Sequence, residues 1–486
     1  MLLTQLLGPE TTTPAGVSRF FVTGLTADSR QVAPGFVFAA LPGTAVDGAR
    51  FIGDAAARGA IAVVARGDVA LPEGLKIPVI TVENPRRALA MMASRFYPAQ
   101  PGTIVAVTGT SGKSSVADFT RQIFAACGYR AASLGTIGVV KPDGAVYGSL
   151  TTPDPVSLHQ TLNELAEEGI SHLALEASSH GLDQHRLDGV RLTAAAFTNL
   201  GRDHMDYHAT VEDYLAAKLR LFTTLLRPDQ IAVANSDGAM SERVADAARA
   251  RGLDVRTVGR TGSAVRLVDV ARDGFAQVLR VVADGVERTI RLPLIGAYQV
   301  ENALTAAALA AAGGVEIQEA LGALETLQGV PGRLDVVGEA RGGLIVVDYA
   351  HKPEALAAVL DSVRPFVTGR LICVFGCGGD RDTGKRPIMG RIAVEHADVV
   401  IVTDDNPRSE DAASIRSQIL AEAAGAREVG DRKSAIEEAV GMAGAGDVVV
   451  IAGKGHETGQ IIGNTVLPFS DHEVARAAVR RVSENG

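Results

Sequence analysis

The chain has 486 residues, enough for two to four domains of roughly 100–200 residues, with 47% hydrophobic and 21% charged residues. That composition excludes disorder, and a net charge of −9 argues against a broad nucleic-acid surface while leaving room for a local phosphate site. Three cysteines, Cys127, Cys373 and Cys377, are too few and too odd in number for a disulfide framework, which fits a reducing compartment. Cys373 and Cys377 read as small buried residues at a strand end.

The amino terminus, MLLTQLLGPE, has no basic segment and no long apolar run, so it does not read as a secretory signal. ALTAAALAAAGG is too short and too rich in Ala and Gly to cross a bilayer. These features predict a cytoplasmic protein without membrane or nucleic-acid partners. The helical pattern NPRRALAMMASRF then runs into Phe96-Tyr97-Pro98-Ala99-Gln100-Pro101-Gly102, a linker by its prolines and glycine. A second seam lies at Gly329-Val330-Pro331-Gly332-Arg333. The cuts predict domains over 1–98, 99–333 and 334–486.

From residue 103 onward TIVAV, HLALE, QIAVAN, GLIVVD, RLICVF, DVVIVTD and DVVVIAG read as buried parallel strands. Helices such as PEALAAVLDSV and SIRSQILAEAA alternate with them, which predicts doubly wound α/β sheets. VRLVDVARDGFAQVLRVVADGVERTIRLPL reads as an antiparallel insertion or edge. Ligands of such sheets gather beyond the carboxyl ends of the strands. The unusual polar segments follow strand ends here: TGTSGKSS, EASSHG, DYAHKP, DDNPR and GKGHE.

Gly109-Thr110-Ser111-Gly112-Lys113-Ser114-Ser115 stands between a strand and the helix VADFTRQIFAACG. Its glycines let backbone N–H groups wrap a phosphate, the helix adds its positive end, Lys113 faces the β/γ-phosphates and Ser114 suits Mg²⁺. The loop is a shortened G-x-x-G-K-S, since a full Walker A needs glycine where Val107 stands. Glu176, closing HLALE, is a hard oxygen ligand placed for a nucleotide-bound cation. The histidines of FTNLGRDHMDYH match no closed zinc spacing, and His172, His185 and His208 read as ordinary hydrogen-bonding residues. Taken alone, Lys218 is a helix-surface lysine and Asp405-Asn406-Pro407-Arg408 an Asx-Pro turn.

TGTSGKSS resembles the ATP loop of the Mur ligases and the related folylpolyglutamate synthetases, T-G-T-[NS]-G-K-[ST]. The likeness covers nearly the whole chain, through AAKxxLF, DYAHKP, DNPR and GKGHE. It implies a three-domain Mur ligase architecture with a central phosphate-loop ATPase sheet and a C-terminal Rossmann-like domain. A monomer is expected, and its C-terminal domain is expected to swing because the adenine, metal and amine sites lie on different segments. Gly109, Thr110, Ser111, Gly112, Lys113, Ser114 and Ser115 are then the phosphate contacts of ATP. Asn302 reads adenine, Arg333 takes phosphate and Asp348 takes ribose. Mg²⁺ falls to Ser114, Glu176, His204 and a carbamylated Lys218, with Lys113, Lys218 and His204 as the catalytic set. Ala27, Ser29, Thr44, Ala45, Val46, Thr151, Thr152, Ser178, Gln184 and Arg186 match the family's contacts to a UDP-N-acetylmuramoyl-L-alanyl-D-glutamate substrate. Lys352 departs from the usual DYAHTP, which puts a role for that side chain in doubt but not for Asp348 or His351.

DNPR resembles the motif of the diaminopimelate-adding members. Meso-diaminopimelate is lysine with a second carboxylate at its far end, which Arg408 can hold bidentately. An arginine left unpaired by lysine would cost on the order of 2–5 kcal/mol. Arg381, Asp405, Asn406, Pro407, Gly453 and Glu457 complete the implied pocket, Glu457 taking the distal ammonium. The alternatives are a lysine-adding or folate-type sister ligase, a phosphate-loop kinase or transport ATPase, and a nucleotide-sensing module.

Overall fold

Short apolar runs closed by glycine, proline or a capping residue form the strands and helices of the computed structural model. It describes residues 1–486 apart from 9, 10, 12–16, 18, 44, 45, 147–149, 202–206, 239, 485 and 486. The chain divides into two units, Met1–Ala264 with Thr305–Ala320, and Val265–Leu304 with Leu321–Gly486.

The first unit holds two sheets. Gly24–Thr26, Phe36–Ala39, Ala62–Ala65 and Val79–Thr81 pair in that order, all parallel. Apolar clusters cover both faces, one around Leu3, Leu6, Val37 and Leu89, the other around Phe38, Ile52 and Val63. The helix Pro85–Phe96 starts where proline fits its first position, and Asn84 caps it by accepting from Arg87 N–H at 3.1 Å.

In the second sheet, Asp254–Gly259, Ile231–Asn235, Ala194–Phe197, Thr103–Thr108, His172–Glu176 and Ala131–Gly135 lie side by side and parallel. Gly138–Lys141 and Gly144–Val146 add an antiparallel edge. Register places Val107 beside Glu176 and Thr108 beside Phe197, so these strands end level with one another.

The second unit carries the sheet Asp335–Ala340, Gly343–Asp348, Val448–Ala452, Leu371–Phe375, Val399–Val402 and Arg427–Glu428, parallel except for its first strand. Apolar clusters fill both faces, as continuous Val/Ile runs require of a parallel sheet. Val265–Asp273, Ala276–Ala283 and Val286–Leu292 form the expected antiparallel meander. Asp348 is level with Ala452, and Phe375 with Val402. Val448–Ala452 lies between Gly343–Asp348 and Leu371–Phe375, two strands that follow each other in sequence. This reversal of strand order opens a crevice at the carboxyl ends. No helix of the described residues is long and apolar enough to cross a membrane.

Candidate functional site

The strand Thr103–Thr108 runs into Gly109, and the chain turns through Gly112, at φ +85°, into the helix Lys113–Ala126. A residue without Cβ takes that left-handed angle at little cost. Val116 N–H donates the first helical bond to Gly112 O at 2.9 Å, so the Ser114 and Ser115 N–H groups have no intrahelical acceptor. A strap of Thr198, Asn199 and Gly201 fixes the loop. Thr198 Oγ1 donates to Ser111 O at 2.7 Å, Ser111 N–H to Asn199 Oδ1 at 3.0 Å, Thr110 N–H to Asn199 O at 2.9 Å and Gly201 N–H to Thr110 Oγ1 at 2.9 Å. The Thr110 and Ser111 N–H groups are therefore engaged by the strap.

Lys113 Nζ donates to Gly109 O and Thr110 O, both at 2.9 Å. Lys218 Nζ reaches the same Gly109 oxygen at 2.7 Å and stands 4.3 Å from the centre of the Tyr214 ring, at 1% exposure. The reading of Lys218 as a helix-surface lysine is thereby corrected: its helix, Val211–Arg220, turns that face onto the phosphate loop. Thr210 caps this helix by accepting from Asp213 N–H, and a π-helical turn, Leu221–Leu225, follows it. His204 lies outside the described residues.

Glu176 is buried at its strand end. Its Oε1 accepts from Thr136 N–H at 2.8 Å and its Oε2 from Thr136 Oγ1 at 3.1 Å. Thr136 Oγ1 also bonds Thr151 Oγ1 at 3.0 Å, and Thr152 Oγ1 donates to Glu176 O at 2.9 Å while accepting from Ser178 N–H at 3.0 Å. Arg186 donates to Thr152 O at 2.7 Å and to Gln184 Oε1 at 2.8 Å. Thus Thr151, Thr152, Ser178, Gln184 and Arg186, scattered over 36 positions, form one connected network beside Glu176. Burial lowers the Arg186 guanidinium from its ordinary value. Ser29 is buried in the turn Ser29–Gln31, Ala27 and Val46 are exposed, and Thr44 and Ala45 lie outside the described residues.

At the carboxyl ends of the second unit's sheet lies a cavity of about 730 Å³. Arg381, Asp405, Asn406, Arg408, Gly453 and Glu457 line it, so six of the seven expected pocket residues meet there; Pro407 is buried behind them. Arg408 Nη1 donates to Gly379 O at 2.8 Å, and no other described residue takes its remaining side-chain N–H groups. Lys454, fully buried, donates to Asn406 Oδ1 at 3.0 Å and Glu457 Oε2 at 2.9 Å, and Asn406 Nδ2 donates to Glu457 Oε2 at 3.0 Å. Glu457 Oε1 is not engaged by any described residue. A Cβ on Gly453 would stand 2.8 Å from Asp405 Oδ2, which explains glycine there. Guanidinium and carboxylate groups thus line one cavity, which suits a molecule charged at both ends.

His351 lines the same cavity with Nδ1 at 2.8 Å from Tyr349 O, and burial lowers its imidazole from the ordinary value. Asp348 accepts from Leu334 N–H and Ala350 N–H, both at 2.8 Å, and burial raises its carboxyl. The Arg333 guanidinium packs 5.3 Å from the Tyr349 ring centre, and Asn302 Nδ2 donates to Gln299 Oε1 at 3.0 Å. Of the histidines read as structural, His172 bonds Ser171 Oγ at 2.9 Å and packs against Phe124 and Tyr129. His185 bonds Asn84 at 2.9 Å, and His208 packs against Tyr214. Burial pushes the Cys373 and Cys377 thiols up to about 12, which suits packing rather than reactivity.

Sequence reasoning missed Thr136, Thr198, Asn199, Tyr214 and Lys454. Lys454 sits inside the quoted GKGHE, and Thr198 and Asn199 inside FTNLGRDHMDYH, so position within a strand-end segment was a usable signal. Nothing local marks Thr136 or Tyr214.

A phosphate loop closing one parallel sheet, with a cavity lined by both charges at the strand ends of another, defines an α/β protein of the phosphate-loop class. Family models match three stretches: "Mur ligase family, catalytic domain" over residues 21–97, "Mur ligase middle domain" over 107–310, and "Mur ligase, glutamate ligase domain" over 332–455. A UDP-N-acetylmuramoyl-L-alanyl-D-glutamate–2,6-diaminopimelate ligase of Bradyrhizobium diazoefficiens is 57% identical over 483 residues, 99% of each chain. The Mesorhizobium japonicum protein of that name is 60% identical over 460 residues, 94% of this chain and 95% of its own. A solved structure of a ligase so named matches with a TM-score of 0.72 at 33% identity, covering 98% of each chain. The chain belongs to the Mur ligase family.

Proposed function

We infer that this protein is an ATP-dependent ligase joining meso-2,6-diaminopimelate to the D-glutamyl γ-carboxylate of UDP-N-acetylmuramoyl-L-alanyl-D-glutamate, a step of peptidoglycan synthesis. The observation that carries the reading is the cavity where Arg381 and Arg408 face Asp405 and Glu457. The names of relatives at 57–60% identity agree with it.

A carboxylate is a poor electrophile. The γ-carboxylate oxygen attacks the γ-phosphorus of ATP, giving an acyl phosphate and ADP. The neutral amine of diaminopimelate then attacks the acyl carbon, and the tetrahedral intermediate gives up the amine proton to solvent and expels phosphate to leave the amide. Such transfers depend on positioning and charge stabilisation. Lys113 and the first-turn N–H groups bind phosphate oxygens, and Asn302, Arg333 and Asp348 contact base, phosphate and ribose. Thr151, Thr152, Ser178, Gln184 and Arg186 hold the acidic sugar-peptide, with Ala27, Ser29, Thr44, Ala45 and Val46 on its uridine side. Arg408 and Arg381 hold the distal carboxylate of diaminopimelate, and Glu457 Oε1 its ammonium.

The buried Glu176 carboxylate, oriented by Thr136 at a strand end level with the phosphate-loop strand, fits a hard cation, with Ser114, His204 and Lys218 as further ligands. Magnesium there would offset phosphate charge. Carbamylation of Lys218 would supply an anionic oxygen on a stem already turned onto the loop. The domains are 1–98, 99–333 and 334–486, and the protein works as a cytoplasmic monomer.

The test is product mass and ADP release with ATP, the UDP-muramoyl-dipeptide and either diaminopimelate or L-lysine. Amide product with diaminopimelate, and far less with lysine, is expected. Equal use of lysine overturns the specificity, and full-rate ADP release without an amino acid overturns ligation.

A further inference from the structure

In the expected pocket motif, Asp405-Asn406-Pro407-Arg408, Asn406 N–H donates to Asp405 Oδ1 at 2.7 Å and Asn406 O accepts from Gly379 N–H at 2.9 Å, but neither bond fixes the backbone of Arg408. Arg408 has φ +51°, a conformation that side-chain-bearing residues rarely adopt. What holds it is the hairpin of Gly459–Ile462 and Thr465–Pro468. Ile461 O accepts from Arg408 N–H at 3.0 Å, and Gly463 N–H donates to Arg408 O at 2.7 Å. Ile461 N–H donates to Asn406 Oδ1 at 2.9 Å, and Gln460 Nε2 donates to Asp405 O at 2.8 Å. Both backbone polar groups of Arg408, one side chain and one further carbonyl of the motif are thus taken by residues 460–463.

The hairpin contributes little else. It forms a separate two-stranded sheet, and its Ile462, Val466 and Leu467 are exposed at 47%, 65% and 44%. A two-stranded ribbon has little stability alone, so the motif and the ribbon hold each other. Within the ribbon, Gln460 is the residue whose side chain reaches the motif.

We propose that the hairpin Gly459–Pro468 is a specificity element of the amino-acid pocket, with Gln460 the positioning residue that aims Arg408 at the distal carboxylate. Gln460 touches no reacting atom. It fixes the Asp405 carbonyl, from which Asn406 and Arg408 take their direction. Losing the amide leaves the guanidinium charge in place and loosens its aim, which weakens a bidentate contact more than a point-charge contact. The inference rests on the diaminopimelate reading.

Gln460→Leu removes the donor at similar volume, and Gln460→Glu places an oxygen where the donor stood. Val286→Ser, an exposed position on the strand Val286–Leu292 outside the hairpin and the pocket, is the control. Steady-state kinetics with diaminopimelate and lysine should show KM for diaminopimelate raised about tenfold in Gln460→Leu, and more in Gln460→Glu, with kcat within about twofold. Preference over lysine should fall in proportion, while KM for ATP and Val286→Ser kinetics stay unchanged. Unaltered KM and preference in both Gln460 variants would overturn the proposal. So would an equal loss in Val286→Ser, or losses spread over all three substrates with a lowered unfolding midpoint. Wild-type protein indifferent to diaminopimelate removes the parent reading, whereas a selective wild type with unaffected variants removes only the role of the hairpin.

Discussion

At the scale of single residues, geometry matters more than charge at two positions. Arg408 has one N–H on Gly379 O and the rest of its fork toward the cavity. Lysine there would keep the charge but lose the planar fork. Arg408→Lys should lower kcat/KM for diaminopimelate on the order of 10²-fold, leaving ADP-binding affinity unchanged by calorimetry. Lys218 is the second case. An amine at 1% exposure, sharing the Gly109 carbonyl with Lys113, lies among polar atoms of the phosphate loop. Incubation with ¹³C-bicarbonate should give a carbamate carbonyl resonance that disappears in Lys218→Ala. Wild-type protein without the signal would leave Lys218 as an amine.

At the scale of elements, the helix Arg432–Met442 is tied to the helix Asp471–Glu484 by a fully buried pair. Arg432 Nε and Nη2 donate to the two Asp471 oxygens, both at 2.7 Å. Arg432 also donates to Ala452 O at 3.0 Å and to Asp404 O at 3.3 Å, on the two strand ends that carry the pocket. Asp471→Asn leaves a buried guanidinium without its counter-charge and should cost about 3–5 kcal/mol, read from the denaturant midpoint. Much of this layout is legible in the sequence. Val/Ile runs from residue 343 onward are strands because a parallel sheet buries both faces, and PEALAAVLDSV is the helix Pro353–Val363. Ala131–Gly135 and Ala194–Phe197 are not legible in the same way, since AASLG and AAAF lack the β-branched residues that mark a strand. The motifs at strand ends identify the pocket residues, but partners such as Thr136, Tyr214 and Gln460 owe their places to tertiary packing. No local pattern encodes that.

At the scale of the molecule, buried imidazoles set one limit on stability. Burial holds His159, His351 and His456 below the ordinary histidine value. The unfolded chain therefore binds protons there at a higher pH than the folded chain. Folding stability should be full above the ordinary imidazole range and decline as pH falls through it. The thermal midpoint should drop between about pH 8 and about pH 5.5, and His159→Gln should flatten that slope; a slope unchanged by the substitution would assign it to other groups. The pocket carries a different consequence. Side-chain carbons added at Gly378 or Gly453 would press on Arg408 Nη1 at 2.7 Å or Asp405 Oδ2 at 2.8 Å, and one at Gly379 would strike the Pro407 carbonyl. Two loops from separate strands are thus cut to the outline of the tetrapeptide on a third. Retargeting this catalyst to another amino acid is therefore a matter of exchanging those loops together, because a lone change meets walls still shaped for the old guest.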